Sequence, residues 1–299
     1  MTLSLSTRWM GNRSYGAGDL LQALQRTDLR RAALMTGRVH PSAEQLTAVL
    51  KPAGARIDVI LARSAGAEED RQESASLLSR NPEERGLALQ AAGAAVALAR
   101  RLGARNIVLK PGRVDLPRTH ERQEEIWARL RSEGPTSELR SEVAAMAREV
   151  ERSIAPDLES ACRALFQICR SEPAIRFSIA TPFSVFGFPS FKALPLVLQE
   201  LKEPNLGYWH DVGAAHLQEV LALAPQNGWG GENAARCFGV SLQDVVSTET
   251  HLPPGAGEVD FQAARDVVPA GAPGVLEIES RFPAPDVSLA VSFLASKGF

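Results

Sequence analysis

Cysteine is scarce in this 299-residue chain, and the three present are badly spaced for pairing. Cys162, Cys169 and Cys237 include no C-x-x-C pair, and an odd number is a poor basis for a disulfide framework. They read as small core residues in a reducing compartment. Charge of one sign is also missing: the formal net charge is −2, so no broad basic field exists to neutralise phosphates, and a nucleic-acid partner is not expected. No apolar run approaches the length that spans a bilayer, and "MTLSLSTRWMGNRS" lacks the apolar segment of a signal peptide. A soluble, cytoplasmic protein without a membrane partner is expected. Familiar catalytic signatures are absent too. There is no G-x-S-x-G elbow, no G-x-x-x-x-G-K-[ST] loop, no H-E-x-x-H, and no G-x-G-x-x-G opening a helix after a strand. "PPGAGEVDF" carries Gly255 and Gly257 but sits in a long loop, so it reads as a turn around a rim, with a phosphate resting on its amides as the alternative.

What the sequence does have is alternation. Short apolar or β-branched runs are separated by stretches of helical period, the pattern of successive βα units on a parallel sheet. The strand candidates are "LSLST" from Leu3, "AALMTG" from Ala32, "RIDVILAR" from Arg56, "NIVLKPG" from Asn106, "IRFSIATP" from Ile175, "LGYWHDVG" from Leu206, "VSLQDVV" from Val240 and "GVLEIES" from Gly274. These make eight, the last is followed by a helical "DVSLAVSFLASKGF", and composition shows no seam between halves. The expected fold is α/β, a single (β/α)8 barrel spanning residues 1–299.

Helix signals support the count. Ser42 is placed to cap "SAEQLTAVL"; Asn81 caps a longer helix with Pro82 at its first position, acidic residues in its first turn, and Gly103 as its stop. The small residues from Ala91 to Ala99 predict close packing against the sheet. Two regions exceed what a minimal barrel needs. "AEEDRQESASLLSRNPEER" is polar and reads as a solvated connection or a loop over the mouth. The stretch between Thr119 and Glu172 predicts two helices broken near "SEGPTSE". "FSVFGFPSFKALP" is expected either to wall a pocket or to fold over the barrel end as a hydrophobic loop.

In such a barrel, function sits at the C-terminal ends of the strands, where the βα loops converge. Those ends supply Thr7, Arg8, Lys110, Thr181, His210, Asp211, Gln243, Asp244, Glu277 and Arg281. The carboxylates interrupt apolar runs, as in "YWHDV" and "VLEIE", so they need a partner, hydrogen bonds or a cation to offset desolvation.

With these pieces in order, the chain resembles the xylose isomerase-like TIM barrels, which include sugar and sugar-phosphate isomerases and epimerases and endonuclease IV-type repair enzymes. The resemblance covers most of the chain. It rests on "ALARRLGARNIVLKPG", "LGYWHDVGAAH", "SLQDVVSTETHLPPGAGEVDF" and "GVLEIESR". It implies a divalent metal (Mn²⁺, Mg²⁺, Zn²⁺ or Co²⁺) held by acidic residues and a histidine on the last four strands. The residues follow only in part. Asp211 and Glu277 match the sixth- and eighth-strand ligands, and they are the metal ligands if a metal is retained. The fifth-strand Glu falls at Ala180, the seventh-strand His at Ser241 or Gln243, the His after the Asp-x-Gly at Ala214, and the His before Pro-Gly at Lys110. No tightly held metal is therefore expected, unless His216 or His251 swings toward Asp211.

The resemblance implies a sugar, sugar-phosphate or polyol isomerase or epimerase. Its expected catalytic residues are Asp211, Glu277, Lys110 and His251, with Arg8, His210, His216, Asp244 and Arg281 binding a small sugar-like ligand. Lys110 is placed to replace some of the lost metal charge, in an ion pair or triad that is structural or proton-transferring. The rival expectation is a catalytically inactive barrel that binds a sugar-like ligand or a protein partner. A repair endonuclease would need metal ligands missing here. Assembly into a homo-oligomer is left open.

Overall fold

Each apolar run becomes a strand because its branched and aromatic side chains suit a pleated surface buried on both faces, as parallel sheets require. The computed structural model describes residues 1–63, 76–114, 116–229 and 234–299. Eight parallel strands close into a barrel: β1 (Thr2–Ser6), β2 (Arg31–Met35), β3 (Arg56–Ala62), β4 (Asn106–Leu109), β5 (Arg176–Ala180), β6 (Leu206–Asp211), β7 (Cys237–Leu242) and, after a small hairpin, β10 (Pro273–Leu276). The last strand pairs with the first, Thr2 opposite Pro273 and Leu5 opposite Leu276. The hairpin is formed by β8 (Asp244–Val246) and β9 (Glu249–Leu252), which are antiparallel. Thus "VSLQDVV", expected as one strand, is two: the chain leaves the barrel at Gln243. Much of "AEEDRQESASLLSRNPEER" lies outside the described residues. Among the described residues no helix is long and apolar enough to cross a membrane.

The helices that cover the barrel are α1 (Ala17–Arg26), α2 (Ala43–Leu50), α3 (Pro82–Leu102), α6 (Ala155–Ser171), α7 (Ala193–Leu201), α8 (Val212–Val220), α9 (Phe261–Val267) and α10 (Ala284–Ser296). Ser42 caps α2 through a hydrogen bond from the Gln45 amide, and Asn81 caps α3 through one from Glu83. Gly103 closes α3 in the left-handed region, at φ 71°. Ala92, Ala95 and Ala99 are buried along α3, so small residues do let this helix lie close to the sheet. Between β4 and α6 stand α4 (Thr119–Glu133) and α5 (Ser137–Ser153). The stretch from Thr119 to Glu172 thus holds three helices, α6 included, rather than the two expected: Gly134 breaks the first pair, and Pro156 sits in the first turn of α6 directly after α5, where proline costs little because its amide would be unbonded.

Alternate residues face opposite ways. Leu5, Ile60, Ile107, Phe177, Ile179 and Leu276 pack outward in the layer shared with the helices. Ala33, Met35, Val59, Leu61, Val108, Ala180, Trp209 and Val275 fill the interior. Trp209 is the large member of this set and is fully buried. Space for it comes from Gly239, where an added Cβ would lie 2.1 Å from the indole. Trp209→Ala should therefore open a void that its neighbours cannot close, lowering stability by roughly 3–5 kcal/mol in urea unfolding with an unchanged m-value.

Candidate active site

Strand parity decides what reaches the mouth. Trp209 points inward, so Asp211 does also, while His210 between them faces the helix layer. The structure thus separates His210 from the mouth residues. Its ring stacks edge-on to Tyr208 with centroids 6.4 Å apart, and neither ring nitrogen meets a hydrogen-bond partner among the described residues. Burial lowers its pKa to about 3, which keeps it neutral.

Asp211 ends β6 and caps α8. Its Oδ1 accepts from the Ala214 amide at 3.0 Å and from Gln243 Nε2 at 2.9 Å. On the other side of β7, Glu277 follows β10, and its Oε1 accepts from Ser241 Oγ at 2.6 Å. Ser241 in turn accepts from Trp209 Nε1 at 3.0 Å, which ties the carboxylate to the interior. Arg8, just beyond β1, lies with Nε 3.7 Å from Glu277 Oε2 and donates from Nη1 to Glu279 at 2.9 Å. Barrel closure makes this cluster, since β1 is hydrogen-bonded to β10.

Lys110 ends the inward row of β4, and its ammonium lies 5.5 Å from the centroid of the Phe183 ring. Phe183 belongs to the aromatic loop after β5 and also approaches His251, at 6.1 Å between centroids. The hydrophobic loop thus folds over the barrel end, bringing one ring to the ionisable cluster. His251 is carried in by β9. Its amide donates to Gln243 Oε1 at 2.8 Å, and its Nδ1 is 3.2 Å from the Glu277 carbonyl. Its φ of 61° is left-handed, a conformation uncommon for a non-glycine residue and enriched at functional sites.

The two carboxyl groups are driven apart. Burial and the neighbouring Glu277 charge push Asp211 up to about 7, against the opposing pull of Lys110. Burial also opposes ionisation of Glu277, but the charges of Arg8 and Lys110 and the Ser241 hydrogen bond outweigh it and hold that group below the usual carboxylate range. The pair shares its titration, and its proton resides on Asp211. Both hydrogen bonds to Asp211 fall on Oδ1, leaving Oδ2 as the oxygen that carries the proton. Burial, then the nearby Arg8 charge, depresses the His251 imidazole well below its ordinary range, so it is a neutral group.

The remaining expected residues lie elsewhere. Asp244 accepts from the amides of Val245, Gly255 and Val259 at 2.8–3.0 Å. It organises the glycine-rich loop, and the Gly255 amide is thereby already bonded. His216 sits on α8, where burial lowers its pKa and Glu258, Glu219 and Asp244 oppose that shift. It faces the underside of the loop and takes no part in the Asp211 hydrogen bonds. Arg281 is exposed and pairs with Glu249. Thr181 Oγ1 accepts from the Asp211 amide at 3.3 Å, and Thr7 Oγ1 from the Met35 amide at 2.9 Å, so both fix backbone.

No protein-family model matches the chain, and no curated protein matches it in sequence. Solved structures do match. D-psicose 3-epimerase from Clostridium cellulolyticum H10, solved with D-tagatose, superposes with a TM-score of 0.68 at 9% identity, covering 99% of each chain. A xylose isomerase domain protein from Planctomyces limnophilus gives 0.65 at 14% identity, over 99% of this chain and 96% of the other. The fold is that of the xylose isomerase-like barrels. A third such barrel, the IOLI protein with a bound zinc atom, gives 0.63 at 11% identity, over 100% of this chain and 96% of the other.

In this barrel the donor set does not fit a divalent metal. Among the described residues no three His, Cys, Asp or Glu side chains gather as ligands. Ala180 has no donor atom. For the seventh-strand position the candidates are Ser241 and Gln243, and each points a hydrogen toward a carboxylate oxygen that a metal would need. Arg8 and Lys110 bring positive charge to the same two carboxylates. Adding Mn²⁺, Zn²⁺, Co²⁺ or Mg²⁺ to chelated protein is expected to leave the melting temperature unchanged; a saturable rise that vanishes in Asp211→Asn would show a bound ion.

Sequence reasoning treated Ser241 and Gln243 as losses. The structure gives them work as hydrogen-bond donors, and the signal was available: hydroxyl and amide side chains can donate where metal ligands only accept. Arg38 and Glu279 were missed. Arg38 follows β2 in a short loop, and its position beside Arg8 depends on the pairing of β1 with β2.

Proposed function

We propose that the mouth binds a small sugar-like or polyol molecule and moves a proton between its carbons, an isomerase or epimerase step carried by Asp211 and Glu277 without a divalent metal. The observation that carries this reading is the opposed ionisation of the two buried carboxyl groups, a pattern typical of acid–base pairs. Ionised Asp211 takes the proton from a carbon next to a carbonyl. The electron pair moves onto the carbonyl oxygen as an enediolate, whose charge Arg8 and Lys110 offset. Returning the proton to the neighbouring carbon, while the hydroxyl proton passes from the second oxygen to the first, gives isomerisation. Returning it to the opposite face of the same carbon gives epimerisation and needs a second donor. Sugar epimerases among the structural neighbours support the substrate class by analogy of fold.

A second reading is favoured by one feature: Oδ1 of Asp211 and Oε1 of Glu277 are already filled by Gln243, Ala214 and Ser241. A closed network of this kind suits a barrel that binds a ligand and does no chemistry. The deciding experiment incubates the protein in deuterium oxide with ketoses, aldoses and polyol ketones and follows them by NMR. Deuterium entering beside the carbonyl supports the enzyme. Thermal stabilisation by a sugar without exchange supports the binding-only barrel.

A further inference from the structure

Arg38 is a cation beside the mouth that the acid–base scheme leaves unused. It sits half-buried in the loop after β2, and Nη1 donates to the carbonyl of Gly11 at 3.3 Å. Gly11 closes the turn Thr7–Met10 that carries Arg8, and its own amide donates back to the Arg8 carbonyl at 2.9 Å. This turn is held against the barrel end: Gly11 adopts φ +73°, and a Cβ there would lie 3.1 Å from Ser280 Oγ, just past Glu277. Arg38 is thereby tied to the turn that carries Arg8.

They are not equivalent. Arg8 is turned toward Glu277 and Glu279. Among the described residues Arg38 has no carboxylate in ion-pair contact. The groups facing it are Arg8, Glu279, Tyr15 and Glu277, and the nearest influence after burial is the like charge of Arg8, which lowers its pKa. Glu277 and Glu279 offset much of the Arg8 charge, and an anion reaching Arg38 would offset the like-charge repulsion that remains. Guanidinium groups bind planar carboxylates and phosphates through paired, directed N–H bonds.

We infer that Arg38, with Arg8 beside it, selects a ligand bearing an anionic substituent, so that the preferred substrate is a sugar acid or a sugar phosphate rather than the neutral sugar. The inference rests on the reading of the mouth as a sugar-like site and narrows it. Arg38 is a specificity residue here, since the reacting carbons belong to Asp211.

The test compares neutral hexoses and pentoses with their uronates, aldonates and phosphate monoesters, by thermal shift and calorimetric titration. The proteins are wild type, Arg38→Ala, Arg38→Lys and the exposed control Arg163→Ala. Anionic members are expected to bind wild type and the control at least about tenfold more tightly than their neutral parents. Arg38→Ala should erase that preference, and Arg38→Lys should weaken it by losing the paired geometry. Uronates and aldonates outranking phosphates would assign a carboxylate, and the reverse order a phosphate. Equal binding of neutral and anionic forms, a preference that survives Arg38→Ala, or no binding by any anionic member would overturn the inference. Anion-selective binding without deuterium exchange would retain it and sink the isomerase reading. Exchange on neutral sugars unaffected by Arg38→Ala would do the opposite.

Discussion

Asp211→Asn should lower turnover by roughly 10²–10⁴-fold while the protein stays folded, because the change removes a proton acceptor and little else. The amide keeps an oxygen for the Ala214 and Gln243 donors that hold Oδ1. Glu277→Gln should cost activity differently, since it leaves Arg8 with one carboxylate fewer in a buried place. A pH profile separates the roles. Wild-type kcat/KM should rise with a limb near 7, where Asp211 ionises, and Asp211→Asn should lose that limb. The stability sign is the reverse. Asp211 keeps its proton in the folded state up to about 7, far above its ordinary value of 3.8, so it favours folding at low pH and that contribution is lost as pH rises through this window. Asp211→Asn should flatten the loss. Turnover that persists in Asp211→Asn with its pH limb unchanged would move the chemistry elsewhere.

His210→Leu should stabilise the protein, most strongly in mild acid. The imidazole is fully buried between β6 and the helix layer, with no hydrogen-bond partner at either nitrogen among the described residues. At neutral pH an apolar group of similar size removes a penalty of about 1–3 kcal/mol. The acid effect is larger. Folding lowers this pKa from 6.5 to about 3, so the unfolded chain takes up a proton that the folded chain refuses. Stability is fully present above about 6.5 and is lost as pH falls toward 3, by roughly 4–5 kcal/mol at the lower limit. Urea unfolding of both proteins between pH 7 and pH 4 checks this. Parallel slopes for wild type and His210→Leu would show that another group controls the acid response.

His210 also marks where sequence reading stopped. In "LGYWHDVG" every residue of β6 is buried, so hydrophobicity has no period to show which face points inward. Asp211 and His210 both stood at a strand end and were assigned together, although neighbours on a strand point to opposite sides. The large indole of Trp209, matched to Gly239, settles the direction once the barrel is closed. Asp244 failed to separate for a related reason: the strand was read through it, whereas the chain leaves the barrel at Gln243 and turns Asp244 toward loop amides.

The sequence by itself determined the eight βα units, the helix caps at Ser42 and Asn81, the strand-end positions of Asp211 and Glu277, and the absence of side-chain donor atoms at Ala180 and Ala214. These depend on local period and residue type, which are written along the chain. Only the tertiary structure decided that Arg8 meets Glu277, that Ser241 and Gln243 donate to the two carboxylates, and that Arg38 stands beside Arg8. Each of these joins residues on different strands or loops. Their meeting depends on the registers at which β1 pairs with β10 and β2, and β7 with β10 and β6, and those registers are fixed by closing the whole barrel around its interior side chains.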